Sequence, residues 1–540
     1  MTAETAHLDR FAWERRPDPD AMPELLFDLP ELRSPERLNC GVHLLDRQIA
    51  AGAAERRCLL SETETWTYGR TYETVNRIAH VLRDDLGIVP GNRVLLRGFN
   101  GPMLAACWLA VMKVGAIAVT TMPLYRAAEL GTIIAKARVR HALCDARLAA
   151  DLEAAVRDAE GFRTLYFGPD AGGDGLEAAM RAKATHFDAV PTAAEDIALI
   201  AFTSGTTGIP KAALHTHRDV IAICVTFCDR VLRPQAGDLF AGSPPLGFTY
   251  GLGGLLVFPL HAGAASLLLE KASSDDLLAA IETHRVTTLF TAPVAYRAMT
   301  TACDRYDLSS LRACVSAGET LPKPVWDGWH AKTGLKIIDG IGSTEMLHIF
   351  IGSPVEEIRP GATGRVVPGY RAEVHDDAGR PLPPGEIGRL AVKGPTGCKY
   401  LDDPRQREYV RGGWNYPGDA YRMDEDGYFW YVARADDMIV SAGYNIAGPE
   451  VEQALLAHPS VRECAVVAKP DPERGTNIVK AYVVLAAGAS AGAEELVAFC
   501  RERIAPFKAP REIEFVTELP RTQTGKVQRF KLRERAAAEG

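Results

Sequence analysis

Over roughly the first 350 residues, short apolar runs alternate with longer segments that repeat their apolar positions at helical spacing. Runs at 93–97, 116–120, 197–202, 287–290, 312–316 and 336–338 predict strands, and segments at 103–114, 219–232, 294–301 and 325–332 predict helices. The run at 197–202 is apolar throughout and reads as a buried parallel strand. The alternation of strand and helix patterns argues for parallel sheets flanked by helices. The most membrane-like stretch, 251–269, is broken by Gly253, Gly254, Pro259, His261 and Gly263. It predicts a buried helix, a turn and a strand at 265–269, not a span.

Near residue 360 the pattern changes to frequent Gly, Pro and Asp turns between short strands such as 389–392, which predicts a small β-rich subdomain. After Arg434-Ala435-Asp436-Asp437 a compact α+β segment begins, with helices near 450–458 and 494–504 and strands at 461–468 and 480–485. A chain of 540 residues is too long for one simple core, so two or more domains are expected. The net charge of −8 argues against a dedicated nucleic-acid binder. Eleven scattered cysteines without a CxxC, and the lone Cys224/Cys228 pair one helical turn apart, read as free thiols in a reducing compartment, not as a zinc site. The first residues carry no apolar core for a secretory signal, so the expectation is a cytoplasmic protein without a membrane partner.

The densest chemistry lies in Phe202–Lys211, FTSGTTGIPK. Thr203, Ser204, Thr206 and Thr207 supply hydroxyls, Gly205 and Gly208 allow close backbone approach, and Lys211 adds a point charge. That combination suits a polyphosphate, although a Ser/Thr/Gly-rich surface turn has the same composition. A Walker-type loop would end Gly-Lys-[Ser/Thr]. Here Ile209 and Pro210 intervene and Ala212 follows, which disfavours an ordinary P-loop NTPase.

The segment resembles, almost letter for letter, the signature loop of the adenylate-forming superfamily of acyl- and aryl-CoA ligases, luciferases and peptide-synthetase adenylation domains. Four further segments match that superfamily in order. Asp339–Glu345, DGIGSTE, resembles the segment in which Asp339 would meet the adenine amine, Thr344 the α-phosphate and Glu345 a Mg²⁺ ion, with Ile341 standing where an aromatic residue is usual. Ala317-Gly318-Glu319, after Ser316, resembles the loop lying along the adenine, though alone it would be an ordinary strand-to-helix turn. Asp419 and Arg434 resemble the ribose clamp, and Asp436 the hinge. Thr522–Arg529, TQTGKVQR, resembles the loop of the catalytic lysine, here Lys526.

The resemblance covers the chain beyond its first forty or so residues. It implies an α/β adenylate-forming fold: a large N-terminal domain, 1–435, of parallel-rich sheets with a small β-rich subdomain, and a small mobile α+β domain, 436–540. The implied reaction activates a carboxylate with Mg-ATP as an acyl-adenylate. The product is then transferred to coenzyme A past Gly443 and Tyr444. Pro245–Gly253, PLGFTYGLG, together with the 341–348 segment, looks most like benzoate-CoA and 2-aminobenzoate-CoA ligases. Phe248, Thr249, Tyr250, Ala317, Ile341 and His348 would then line a pocket for a small aromatic acid. Without that match, Phe248 and Tyr250 read equally well as core packing and His348 as a satisfied core histidine. Segments 23–46, 63–70 and 90–115 tilt the resemblance toward 2-aminobenzoate; benzoate, a hydroxybenzoate, or transfer to a carrier protein stay open, and the chain is expected to be a monomer or homodimer.

Overall fold

The computed structural model describes residues 4–203, 210–434, 437–441, 444–471, 476–504, 506–521 and 526–539. The chain divides into two compact units, Met1–Leu321, Val325–Arg371 and Val392–Asn415 in one, Pro322–Pro324, Ala372–Ala391 and Tyr416–Gly540 in the other.

The first unit holds two large sheets. In the six-stranded sheet, Arg163–Phe167, His141–Asp145, Arg93–Arg97, Ile117–Thr121 and Ile197–Thr203 run parallel, and Lys211–Thr216 closes one edge antiparallel. In the eight-stranded sheet, six parallel strands, Ile337–Gly342, Ala313–Ser316, Thr288–Thr291, Leu239–Gly242, Ala265–Leu267 and Arg57–Leu60, are flanked by antiparallel Ile349–Gly352 and Thr65–Thr67. Most positions of the interior strands are buried, Arg93 and Arg97 among them. Core residues such as Leu95, Val119 and Ile200 fill the first sheet's layer, and Leu267, Leu289 and Trp329 the second's. The predicted helices appear at Pro102–Lys113, His217–Ile223 continued as a wider coil over Cys224–Leu232, Pro293–Thr300 and Lys323–Thr333. The 251–269 stretch forms buried helical turns to Ala262, a left-handed Gly263 and the strand Ala265–Leu267.

Several strands of the first unit were not expected: Arg57–Leu60, Thr65–Thr67, His141–Asp145, Arg163–Phe167, Leu239–Gly242, Ile349–Gly352 and Lys211–Thr216. Lys211–Thr216 forms a hairpin with Ile197–Thr203, so the latter is parallel to its neighbour on one side only. In the second unit, Asp419–Met423 and Phe429–Arg434 pair antiparallel, Met438–Ser441 pairs with Tyr444–Ala447, and Val461–Asp471, Thr476–Leu485 and Glu512–Phe515 form a three-stranded sheet. The helices Gly448–Leu456 and Ala493–Arg501 supply Val451, Leu455 and Leu496 to the core of this last sheet. All eleven cysteines are buried and unbonded. Among the described residues no helix is long and apolar enough to cross a membrane.

Candidate active site

The hairpin sets the two ends of the glycine-rich loop opposite each other, because Thr203 and Lys211 are register partners. Ser204, Gly205, Thr206, Thr207 and Gly208 lie outside the described residues. Lys211 Nζ stands 3.7 Å from Glu345 Oε1, with the Tyr400 ring centroid at 5.1 Å and that of Tyr409 at 5.8 Å. The ammonium is thus held by a carboxylate and two aromatic faces.

Glu345 belongs to a tight reversal between the strands Ile337–Gly342 and Ile349–Gly352. Four consecutive residues of that reversal are anchored from outside it. Ser343 Oγ and Tyr409 OH are 3.0 Å apart. The Thr344 carbonyl accepts from His215 Nε2 at 2.8 Å. Glu345 Oε1 accepts from Tyr400 OH at 2.5 Å. The Met346 carbonyl accepts from Thr396 Oγ1 at 2.8 Å. The next residue, Leu347, is buried at φ 70°. That left-handed geometry costs an L-residue with a bulky side chain roughly 1–2 kcal/mol, so the surrounding contacts must hold it in place.

Behind the turn lies a buried polar group that the motifs did not announce. Lys399 Nζ is 2.6 Å from Asp219 Oδ2, and His215 Nδ1 is 3.8 Å from the same oxygen. Asp219 also caps its helix through a reciprocal pair with Thr216. Burial pushes the Asp219 carboxyl up, but Lys399 and His215 outweigh it and hold the group well below the usual carboxylate range. Burial and the neighbouring Glu345 push the Tyr400 phenol up, so it acts as a donor and not as an anion.

Ser316 and Asp339 are register partners on adjacent parallel strands. Ala317-Gly318-Glu319 and the 340–345 segment therefore leave neighbouring strands at their carboxyl ends, where ligands bind in open α/β sheets. Gly318 turns at φ 90° with open space around its Cβ position. Asp339 Oδ1 is sealed from solvent without a hydrogen-bond partner, and burial pushes this carboxyl well up. An orphaned buried oxygen of this kind is costly unless something donates to it.

Two of the predicted pocket residues, Tyr250 and His348, meet beside this edge. Tyr250 donates its hydroxyl to the carbonyls of Thr291 at 3.2 Å and Val315 at 3.1 Å, so it presents a ring and not a free hydroxyl. The His348 ring lies edge-on to Phe258 at 4.6 Å, with Phe227 at 5.4 Å and Tyr250 at 5.8 Å. Neither nitrogen of His348 makes a standard hydrogen bond, and burial pulls the imidazole down to about 3, so it is neutral at ordinary pH. A Cβ on Gly253 would fall 2.3 Å from His348 Cδ2; only glycine lets the ring lie there. Thr249 and Ala317 are buried, and Phe248 and Ile341 are half-buried.

In the second unit, Asp419 and Arg434 face each other across an antiparallel pair, with Arg434 Nη1 3.1 Å from both carboxylate oxygens and 3.1 Å from the Pro417 carbonyl. Gly418, at φ 85°, leaves room for that guanidinium, since a Cβ there would lie 2.9 Å from Arg434 Nη2. Lys526 is exposed; its neighbour Val527 forms a bridge with Arg521, and Gln528 N–H donates to the Pro520 carbonyl. Asp436 and Gly443 lie outside the described residues; Tyr444 opens the strand Tyr444–Ala447.

For a metal, Glu345 offers a hard carboxylate whose Oε1 is taken by Tyr400, leaving Oε2. One such ligand beside substrate phosphates and waters fits magnesium. Among the described residues no group of three His, Cys, Asp or Glu side chains could hold an ion by itself.

The family model for the AMP-binding enzyme matches residues 45–399, and that for its C-terminal domain matches 450–526. The chain is 34% identical to a benzoate–CoA ligase of Thauera aromatica over 93% of its own length and 97% of that protein. Among solved structures it is similar to an anthranilate CoA ligase, AuaEII, in complex with anthranoyl-AMP (TM-score 0.89, 33% identity, 94% and 99% of the two chains). It is also similar to a benzoate CoA ligase from Burkholderia xenovorans LB400 (TM-score 0.84, 32% identity, 92% and 99%). The sequence match over both family models, carried on this fold, makes the chain a member of the adenylate-forming AMP-binding family, an acid–thiol ligase of its benzoate-CoA ligase branch.

Proposed function

We propose that the protein is an ATP-dependent aryl-CoA ligase acting on 2-aminobenzoate. The acid's carboxylate attacks the α-phosphate of Mg-ATP, pyrophosphate leaves, and the thiolate of coenzyme A then displaces AMP from the acyl-adenylate. The protein contributes position and charge, with no covalent nucleophile of its own. Lys211 and the loop before it would hold the phosphates, Thr344 the α-phosphate and Glu345 the magnesium. Asp339, with Ala317-Gly318-Glu319, would meet the adenine, and Asp419 and Arg434 the ribose. Lys526, from a mobile part beginning after Asp436, would bridge carboxylate and α-phosphate. Gly443 and Tyr444 would then flank the pantetheine arm.

The observation that carries the aryl reading is the ring of Tyr250, Phe258, Phe227 and neutral His348 around Gly253. It supports a flat, short acyl group better than a flexible chain, since aromatic rings pack against it by edge and face. The unpaired nitrogens of His348 favour a substituent able to hydrogen-bond, and the anthranoyl-AMP complex among the similar structures supports the ortho amine. Benzoate is the second reading, favoured by the Thauera relative. The test is pyrophosphate exchange and CoA-thioester formation over 2-aminobenzoate, benzoate, the hydroxybenzoates and short fatty acids. The highest kcat/KM is expected with 2-aminobenzoate; preference for an aliphatic acid would overturn the pocket assignment.

A further inference from the structure

We propose that His215 is a positioning residue for adenylate formation, holding the Thr344–Glu345 turn through its contact with the buried Asp219–Lys399 pair. The inference rests on the reading of that turn as the phosphate and magnesium site.

The Thr344 carbonyl can only accept, so His215 Nε2 must carry the proton of their 2.8 Å bond. The other nitrogen then faces Asp219 Oδ2 at 3.8 Å. That oxygen is itself fixed by Lys399 at 2.6 Å and by the Thr216 N–H at 3.0 Å. All three side chains are withdrawn from solvent. A buried ion pair is weak evidence for stability, because desolvation offsets its attraction, and such pairs are often retained to specify one arrangement. The pair borders the Nδ1 edge of the His215 ring at 3.8 Å, beyond hydrogen-bond reach, while the Nε2 edge holds the carbonyl that also receives the Leu347 N–H at 3.2 Å and closes the left-handed turn.

The same stretch of chain braces the turn twice. Lys399 and Tyr400 are consecutive and extended beside the strand carrying Lys211: Leu214 N–H donates to the Lys399 carbonyl, and Leu401 N–H to that of Ala212. Successive side chains of an extended segment point to opposite sides. Lys399 therefore reaches Asp219, and through His215 the Thr344 carbonyl, while Tyr400 reaches the Glu345 carboxylate. The turn's backbone and its carboxylate are tied to one segment, and that segment is hydrogen-bonded to the strand bearing Lys211. Phosphate-binding lysine and metal-binding carboxylate are in this way kept in one frame.

The test compares wild type, His215→Ala and His215→Gln in two separate half-reactions, pyrophosphate exchange and thioester formation from supplied acyl-adenylate. His215→Ala is expected to lower kcat for exchange by roughly 10- to 100-fold, as small misplacements of a charged site do, with KM for the acid and thioester formation nearly unchanged. Glutamine, which can donate to the same carbonyl, is expected to restore about ten-fold of that loss. If the alanine variant does not fold, His215→Met, which fills the space without a donor, takes its place beside His215→Gln. Equal losses in both half-reactions, absence of rescue by glutamine, or unchanged exchange in active protein overturns the inference alone. Wild-type protein that never exchanges pyrophosphate with any aryl acid overturns the functional reading together with it.

Discussion

Glu345 is buried, in a turn whose consecutive residues are each held from outside, whereas Lys526, next to the Arg521–Val527 bridge, is exposed. Under the proposed mechanism both charges serve the same transition state. The carboxylate must hold a metal before and throughout the reaction, so its cost of organisation is met during folding. The lysine is needed in one half-reaction only, and burying it in place would leave a desolvated cation with nothing to neutralise it once the product has formed. Permanent groups are buried and braced, and the transient one is left at the surface.

The widest separation between the two regions is expected from Lys526→Ala. Pyrophosphate exchange should fall by about 10²- to 10³-fold, the usual cost of losing one aimed donor, while thioester formation from supplied adenylate stays within a few-fold. Half-reaction kinetics check this, and equal losses would erase the contrast. Glu345→Gln comes next. The amide keeps an oxygen for the Tyr400 hydroxyl, so the turn should survive, but the charge is gone. Adenylation is expected to drop by roughly 10²-fold, with a higher magnesium requirement in a metal titration, because a hard cation prefers an anionic oxygen. A loss that excess magnesium leaves untouched, with a lowered Tm, would make Glu345 structural.

Parallel strands with a mainly apolar run, such as Ile197–Thr203, were legible because both their faces are covered, whereas His141–Asp145, Arg163–Phe167, Leu239–Gly242 and Arg57–Leu60 were not read. Nor was the strand Lys211–Thr216: KAALHT mixes polar and apolar residues, and its place is set by a hairpin partner and by the 399–401 segment. Lys211, Asp339, Thr344 and Glu345 were singled out because short motifs concentrate glycines, hydroxyls and charge. His215, Asp219, Lys399, Tyr400 and Tyr409 carry no local signal. His215 meets its partner 129 residues away, Lys399 at 180 and Tyr400 at 55, and such pairings exist only in the folded chain. Tyr250 was read as a pocket wall, but only the fold ties its hydroxyl to two strand ends.

The proposed pocket offers a third way to sharpen the contrast, since its His348 is held by packing instead of hydrogen bonds. Gly253→Ala would press a methyl into the His348 ring, and overpacking of this kind costs about 1–3 kcal/mol. A lowered Tm and a shift in relative kcat/KM among ortho-substituted and plain benzoates are expected, with KM for ATP unchanged. A rise in KM for ATP to match would place Gly253 in the nucleotide site.

The smallest effect is a pH slope, and it isolates burial from chemistry. His348 falls from its ordinary 6.5 to about 3 because the folded protein buries it, with the Tyr250 backbone only partly restoring the charged form. Below about pH 6.5 the unfolded chain takes up a proton that the folded chain refuses, so stability from this group declines as pH falls, until the native imidazole titrates near 3. His348→Leu removes that proton from the balance. Between pH 6 and pH 4 its stability should fall less steeply than that of the wild type, by up to about 1.4 kcal/mol per pH unit, the limit for one proton. His217 and His43, also depressed by burial, titrate in both proteins and cancel from the difference. Denaturant melts at stepped pH values measure it. Parallel curves would mean that His348 already reaches water or a donor in solution, and that the aromatic enclosure, unlike the turn around Glu345, opens without ligand.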